Sequence, residues 1–190
     1  MEDYLIPKSP RNVGYLIQLA EVEENLGEIE RAKTLLESAA SIDPKDSQVV
    51  ERLAYLLGDR LAQPQRAKEY LDGLVEQAND QASSYLARAK WTLGLARKTG
   101  EPELMQQYLI STEQDLRQAA NLEPENLTAS LLAAELATTT GKSTFASELI
   151  KAGMSESPED PRLYGAAAQL RLIDGDVPGA TELLREGLKS

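Results

Sequence analysis

The sequence predicts an all-α fold, a right-handed solenoid of about five antiparallel helix pairs. Three observations predict it. Ala and Leu carry the apolar mass while aromatics make up only 5% of the 190 residues, a mixture that favours helix. Small residues return at intervals near 34. Gly and Pro punctuate the chain at fixed offsets from those residues.

Two series of small residues define the register. One runs Ala20, Ala54, Ala89, Ala134, Ala168 and marks the first helix of each pair. The other runs Ala32, Ala67, Thr112, Ala146, Ala180 and marks the second. Four residues after each second marker stands a large apolar residue: Leu36, Leu71, Leu116, Ile150, Leu184. Small residues let two helices approach closely, and a large neighbour at i+4 fills the groove beside them.

The pairs follow in order. Residues 13–46 form the first, with Gly27 closing its first helix and Pro44 its second. Residues 47–81 form the second, where Ala54 to Ala67 is 13 residues instead of the 12 of the regular pairs, so one extra residue is expected in the turn. Residues 82–126 form the third, and here Ala89 to Thr112 is 23. The eleven extra residues predict two long helices, about 82–99 and 102–121. Shared between them, they make the hairpin protrude by ~8 Å at 1.5 Å per residue. Leu95, Leu104, Met105 and Tyr108 then have to cover one another or meet a partner. Residues 127–160 and 161–190 form the last two pairs, turning at Gly141 and Gly175. Residues 1–11, with Pro7 and Pro10, read as a tail or linker.

This pattern resembles the tetratricopeptide repeat family, a 34-residue helix–turn–helix unit with a small residue, A-x3-F and a late Pro. The consensus Trp is replaced by Leu16, Val50, Tyr85, Ser130 and Tyr164, and the second-helix Phe by Leu or Ile. The resemblance covers about residues 13–190. It implies a protein-interaction scaffold rather than an enzyme. The polar helix that usually closes such an array is not visible after the fifth pair, so the chain is expected to be cut from a longer protein or covered there by a partner.

Composition excludes much chemistry. There is no Cys and no His, which removes zinc fingers, haem ligation by His, iron–sulfur clusters and Cys or His catalysis. No cofactor and no metal site is expected. A net charge of −11 repels phosphate backbones, so nucleic acid is disfavoured as a partner. No apolar run approaches the ~18–20 residues of a membrane helix. Residues 1–11 lack a signal-peptide layout, which favours a cytoplasmic location.

Several local motifs invite sharper readings. Thr140-Gly-Lys-Ser-Thr144 looks like the end of a phosphate-binding loop, but position 136 is Leu where that loop needs Gly, and no strand is expected before it. The repeat turn accounts for it instead. Lys98-Thr99-Gly100 matches a box of penicillin-recognising enzymes, yet no Ser-x-x-Lys exists in the chain. It reads as a helix end with Gly100 as its cap. Glu21, Glu23, Glu24, Glu28 and Glu30 read as a solvated face rather than an acid/base pair. Trp91 falls beside the stripe Leu86, Ala89, Leu93, Ala96 and is expected in the core. Asn126-Leu-Thr128 fits the glycosylation pattern.

The resemblance implies a concave groove lined by the second, fifth, ninth and twelfth residues of each first helix. Carried over, these are Gly14, Ile17, Glu21 and Glu24, then Gln48, Glu51, Tyr55 and Gly58. The third set is Ser83, Leu86, Lys90 and Leu93, and the fourth Thr128, Leu131, Glu135 and Thr138. The last is Arg162, Gly165, Gln169 and Leu172. The expected contacts are Glu21, Glu51, Tyr55, Leu86, Lys90, Leu131, Glu135, Arg162 and Gln169. A subclass of the family clamps a carboxylate with Lys and Asn at the positions of Ile17 and Glu21, and neither matches. The expected partner is a protein or peptide with basic and apolar side chains. The competing reading is an architectural or self-association segment of a larger protein, whose ends make the contacts.

Overall fold

The computed structural model describes residues 12–189. The expected tail at residues 1–11 lies outside the described residues. Ten α-helices and no strand occur among the described residues. They divide into two compact units between Asn79 and Asp80, each taken by itself.

The first unit contains α1 (Val13–Asn25), α2 (Ile29–Ile42), α3 (Ser47–Tyr55) and α4 (Pro64–Gln77). Helix α1 packs on α2, α2 on α3, and α3 on α4. Asn12 caps α1 and Asp46 caps α3, each accepting backbone N–H groups that have no partner inside the helix. Gly27 takes φ +82°, the left-handed conformation that reverses the chain between α1 and α2.

The extra residue of the second pair is not in the turn. It is absorbed inside the first helix as one π turn, Leu56–Arg60, whose bond runs from Leu61 N–H to the Leu56 carbonyl at 3.1 Å. The π turn carries both Leu56 and Leu57 into the core. The turn after it keeps the regular length, because Ala62 stands five residues before Ala67 as Gly27 does before Ala32. Ala62 also adopts the glycine conformation, with φ +53°.

The second unit contains α5 (Ala82–Lys98), α6 (Pro102–Leu122), α7 (Thr128–Thr140), α8 (Thr144–Glu156), α9 (Pro161–Ile173) and α10 (Val177–Gly187). Its pairs are α5/α6, α7/α8 and α9/α10, with α6 packed on α7 and α8 on α9. The elongated third pair is present, with 17 and 21 residues in its helices where the other helices of the unit have 11 to 13. Pro102 occupies the first turn of α6, where a missing N–H breaks no bond. Gly100 is not a left-handed cap. Thr99 ends α5 in extended backbone at φ −72°, ψ 139°, and its hydroxyl accepts the Glu101 N–H at 3.2 Å. An extended exit suffices because the chain turns through three residues rather than reversing on one.

The core of the second unit is built from the expected stripes. Leu86, Ala89, Leu93 and Ala96 of α5 join Leu116 and Ala119 of α6, and Ala146 and Ile150 of α8. Within the hairpin, Leu109 is buried while Leu95 and Leu104 are half-buried. Met105 and Tyr108 pack against the cluster. Trp91 is only half-buried, and its indole N–H is enclosed without an acceptor.

Candidate interaction surfaces

The first helices of neighbouring pairs are tied together by guanidinium groups. In the first unit, Arg52 of α3 reaches Glu21 and Glu24 of α1, both at 3.3 Å. In the second, Arg97 of α5 reaches Glu135 of α7 at 3.1 Å and donates to the Thr139 hydroxyl at 3.2 Å. The same device sits on the second helices, where Arg66 meets Glu37 at 2.8 Å and Arg117 meets Glu148 at 3.5 Å. Each pair fixes the lateral register of adjacent helices. Their exposure keeps their contribution to stability small.

These pairs change the electrostatics expected of the groove. Glu21 and Glu135 are exposed but held by arginines of the neighbouring helix. Arg162 is exposed and turned back on Asp160, with Nη2 to Oδ2 at 2.6 Å. That bond is the main cause holding the Asp160 carboxyl below its ordinary value. The rest of the acidic cluster is also engaged, Glu23 and Glu28 with Arg31 and Glu30 with Lys33.

The remaining expected contacts divide by exposure. Tyr55, Lys90 and Gln169 are exposed, while Glu51 and Leu131 are partly so. Leu86 is a correction. It is buried in the core of the second unit, as is Leu93, and neither can touch a partner on the surface.

A second surface was not among the expected contacts. A cleft of ≈ 740 Å³ lies in the second unit between the first half of α6 and the turn joining α7 to α8. Met105, Leu109 and Ile110 form one wall, and Gly141 to Phe145 the other. Ile110 is exposed. Arg117 stacks over the Phe145 ring at 4.4 Å, and the Ser143 hydroxyl donates to Asp174 at 2.6 Å. The only signal in the sequence was the eleven-residue excess in the third pair. A long hairpin beside a shorter one leaves a step.

The phosphate-loop lookalike forms this turn. Gly141 ends α7 with φ +68°, in the same role as Gly27 and Gly175, and a helix rather than a strand precedes it. Asn126 serves as a local cap, accepting the Thr128 N–H at 3.1 Å and donating to Glu123 at 2.9 Å.

Stacked antiparallel pairs with a glycine-type turn and small-residue crossings define the class, an all-α helical repeat protein. Residues 13–56 match the tetratricopeptide repeat family by sequence, and the chain has the fold of tetratricopeptide-repeat proteins. It is similar to TTC0263, a thermophilic protein of that class from Thermus thermophilus, at 22% identity over 93% of this chain and 90% of that one, with a TM-score of 0.67. It is similar to PilF of Pseudomonas aeruginosa at 18% identity, covering 95% and 78% of the two chains, with a TM-score of 0.65. MamA gives 15% identity, 95% and 92% coverage and a TM-score of 0.64. No curated protein matches the sequence. Proteins of this fold are in general protein–protein interaction scaffolds and typically lack catalysis. No described helix is long and apolar enough to cross a membrane.

Proposed function

We propose that the chain is a non-catalytic scaffold whose first helices, within each unit taken by itself, bind protein segments. The observation that carries this reading is Tyr55, an aromatic side chain 52% exposed on a first helix, with Glu51 one turn before it. An exposed tyrosine offers a large apolar face at little entropic cost. In the second unit, Lys90, Leu131, Glu135 and Gln169 supply the corresponding positions. Arginine pairs already hold Glu21, Glu135 and Arg162 in place, so these groups meet a partner as fixed dipoles and not as loose charges. The partner chemistry that suits them is an extended segment with apolar side chains and basic groups.

The cleft beside α6 supports a second reading, in which the partner seats against Ile110. Affinity purification with mass spectrometry separates the two. A chain carrying Tyr55→Ala and Leu131→Ser should lose its specific partners and keep its helical signal. Ile110→Glu, on the exposed wall of the cleft, should leave those partners in place. The reverse pattern would move the contact to the cleft and refute the first-helix face.

A further inference from the structure

We propose that the chain associates head to tail with second copies of itself, α10 of one copy docking on α1 of the next. The proposal goes beyond the first-helix reading and uses a different surface. Within each unit, the second helix of a pair packs on the first helix of the following pair: α2 on α3, α6 on α7, α8 on α9. Among the described residues, α1 is preceded by no second helix and α10 is followed by no first helix. These two helices carry the missing halves of that joint.

On α1, Tyr15, Leu19, Val22 and Leu26 are spaced i, i+4, i+7 and i+11, so they form one stripe. They are 44–71% exposed. Counted from the first-helix markers, the counterparts of Tyr15 and Val22 are Val49 and Leu56, Ala129 and Leu136, and Leu163 and Leu170. None of these is more than 5% exposed. The face that the preceding pair covers on α3, α7 and α9 is open on α1.

The other half is on α10. Leu184 stands four residues after its marker, where α2 has Leu36, α6 has Leu116 and α8 has Ile150. Those three are at most 2% exposed, while Leu184 is 50% exposed and Leu188, one turn on, 88%. The occupant follows from continuity with the internal joints. A surface built like the back of α2 meets a surface built like the front of α3, and a second copy supplies both. The two surfaces are unlike, so the contact is heterologous and each copy keeps a free end for another.

Sedimentation velocity over a concentration series of the full chain tests this. The average mass should rise with concentration and pass beyond a dimer. Leu19→Glu breaks the α1 side and Leu184→Glu the α10 side. Each variant alone should remain monomeric, with unchanged helical signal and melting, because both positions face solvent. Mixed in equal amounts, the two should form dimers and stop there, since one intact α1 and one intact α10 are available. Leu188→Lys provides a second α10 variant at a still more exposed position and should behave like Leu184→Glu. A wild-type chain that stays monomeric at every concentration overturns the proposal. So does a mixture that stays monomeric, or self-association abolished by one variant and untouched by the other, which would mean like-to-like pairing.

Discussion

Arg88 and Asp115 form a two-bonded ion pair between α5 and α6, with Nε to Oδ2 at 2.9 Å and Nη2 to Oδ1 at 2.8 Å. The Asp115 side chain is 4% exposed and that of Arg88 24%. The pair sits where the elongated hairpin begins to outgrow its neighbours, close to the buried Thr92–Thr112 hydroxyl contact of 2.8 Å. Polar groups at this depth favour one register of the two helices over its alternatives, because a slip by one residue leaves both ions unpaired.

Asp115→Ala should therefore cost about 3 kcal/mol, the low end for a broken buried pair, since Arg88 retains some water. Replacing both residues, Arg88→Met with Asp115→Leu, should recover most of that loss. Urea unfolding of the three variants checks it. A double variant as unstable as the single one would mean that the site needs the ions themselves.

Ala62 holds the turn conformation that Gly27, Gly141 and Gly175 hold in their pairs. A left-handed non-glycine residue costs roughly 1–2 kcal/mol, and glycine costs about 0.4–1 kcal/mol through the freedom of the unfolded chain. Ala62→Gly should be a net stabilisation of about 0.5–1 kcal/mol, visible as a raised melting temperature. A lower melting temperature would mean that the Ala62 methyl is needed where it stands.

The repeat, the turn glycines and the long third pair were legible because each leaves a count in the sequence. Spacing alone could not show where the second pair's extra residue goes. A loop and a π turn add the same single residue, and the choice fell to Leu56 and Leu57, which the π turn buries together. Carrying groove positions over from the family failed at Leu86 and Leu93 for a related reason. Position in a repeat fixes a direction, but the surrounding packing decides how much water that direction meets, and both leucines join the core of the second unit. The arginine pairs depend on lateral register between helices of neighbouring repeats, which periodicity does not encode. The α1 stripe misleads in the opposite sense, since its pattern is that of a core face.

Asp160 caps α9 by accepting the Arg162 N–H at 2.9 Å, and the Arg162 guanidinium holds its carboxyl below the ordinary 3.8. A lowered carboxyl contributes stability above its unfolded value. That contribution is lost as the pH falls below about 4 and through the lower folded value. The Arg162 guanidinium is largely open to water, so the charge part is small. Asp160→Asn keeps the cap and should match wild type in stability at pH 7 to within error, while Asp160→Ala should lose about 1 kcal/mol. Carboxyl NMR should show the Asp160 midpoint moving up toward 3.8 in Arg162→Ala. An unmoved midpoint would assign the lowering to the helix terminus instead of the guanidinium.

Three helical glycines test the packing in opposite directions. A Cβ built on Gly94 of α5 or Gly165 of α9 meets nothing within 4 Å, and neither residue has positive φ. Glycine inside a helix is about 0.5–1 kcal/mol less favourable than alanine, so Gly94→Ala and Gly165→Ala should each stabilise by that amount. Gly153 of α8 is different. Its Cβ would stand 3.2–3.3 Å from Ser130 Oγ, Leu127 Cδ2 and Leu163 Cδ2, where α8 crosses its neighbours. A leucine there has no room, and Gly153→Leu should cost about 1–3 kcal/mol by overpacking. Ala146→Leu, two turns earlier on the same face and equally enclosed, should do the same. Thermal melts read all four variants, with shifts of about 2–4 °C per kcal/mol in a chain of this size. Gains at Gly94 and Gly165 with losses at Gly153 and Ala146 would fix which glycines serve close helix crossings. Stable folding of both leucine variants would remove the small-residue crossing as the basis of the repeat.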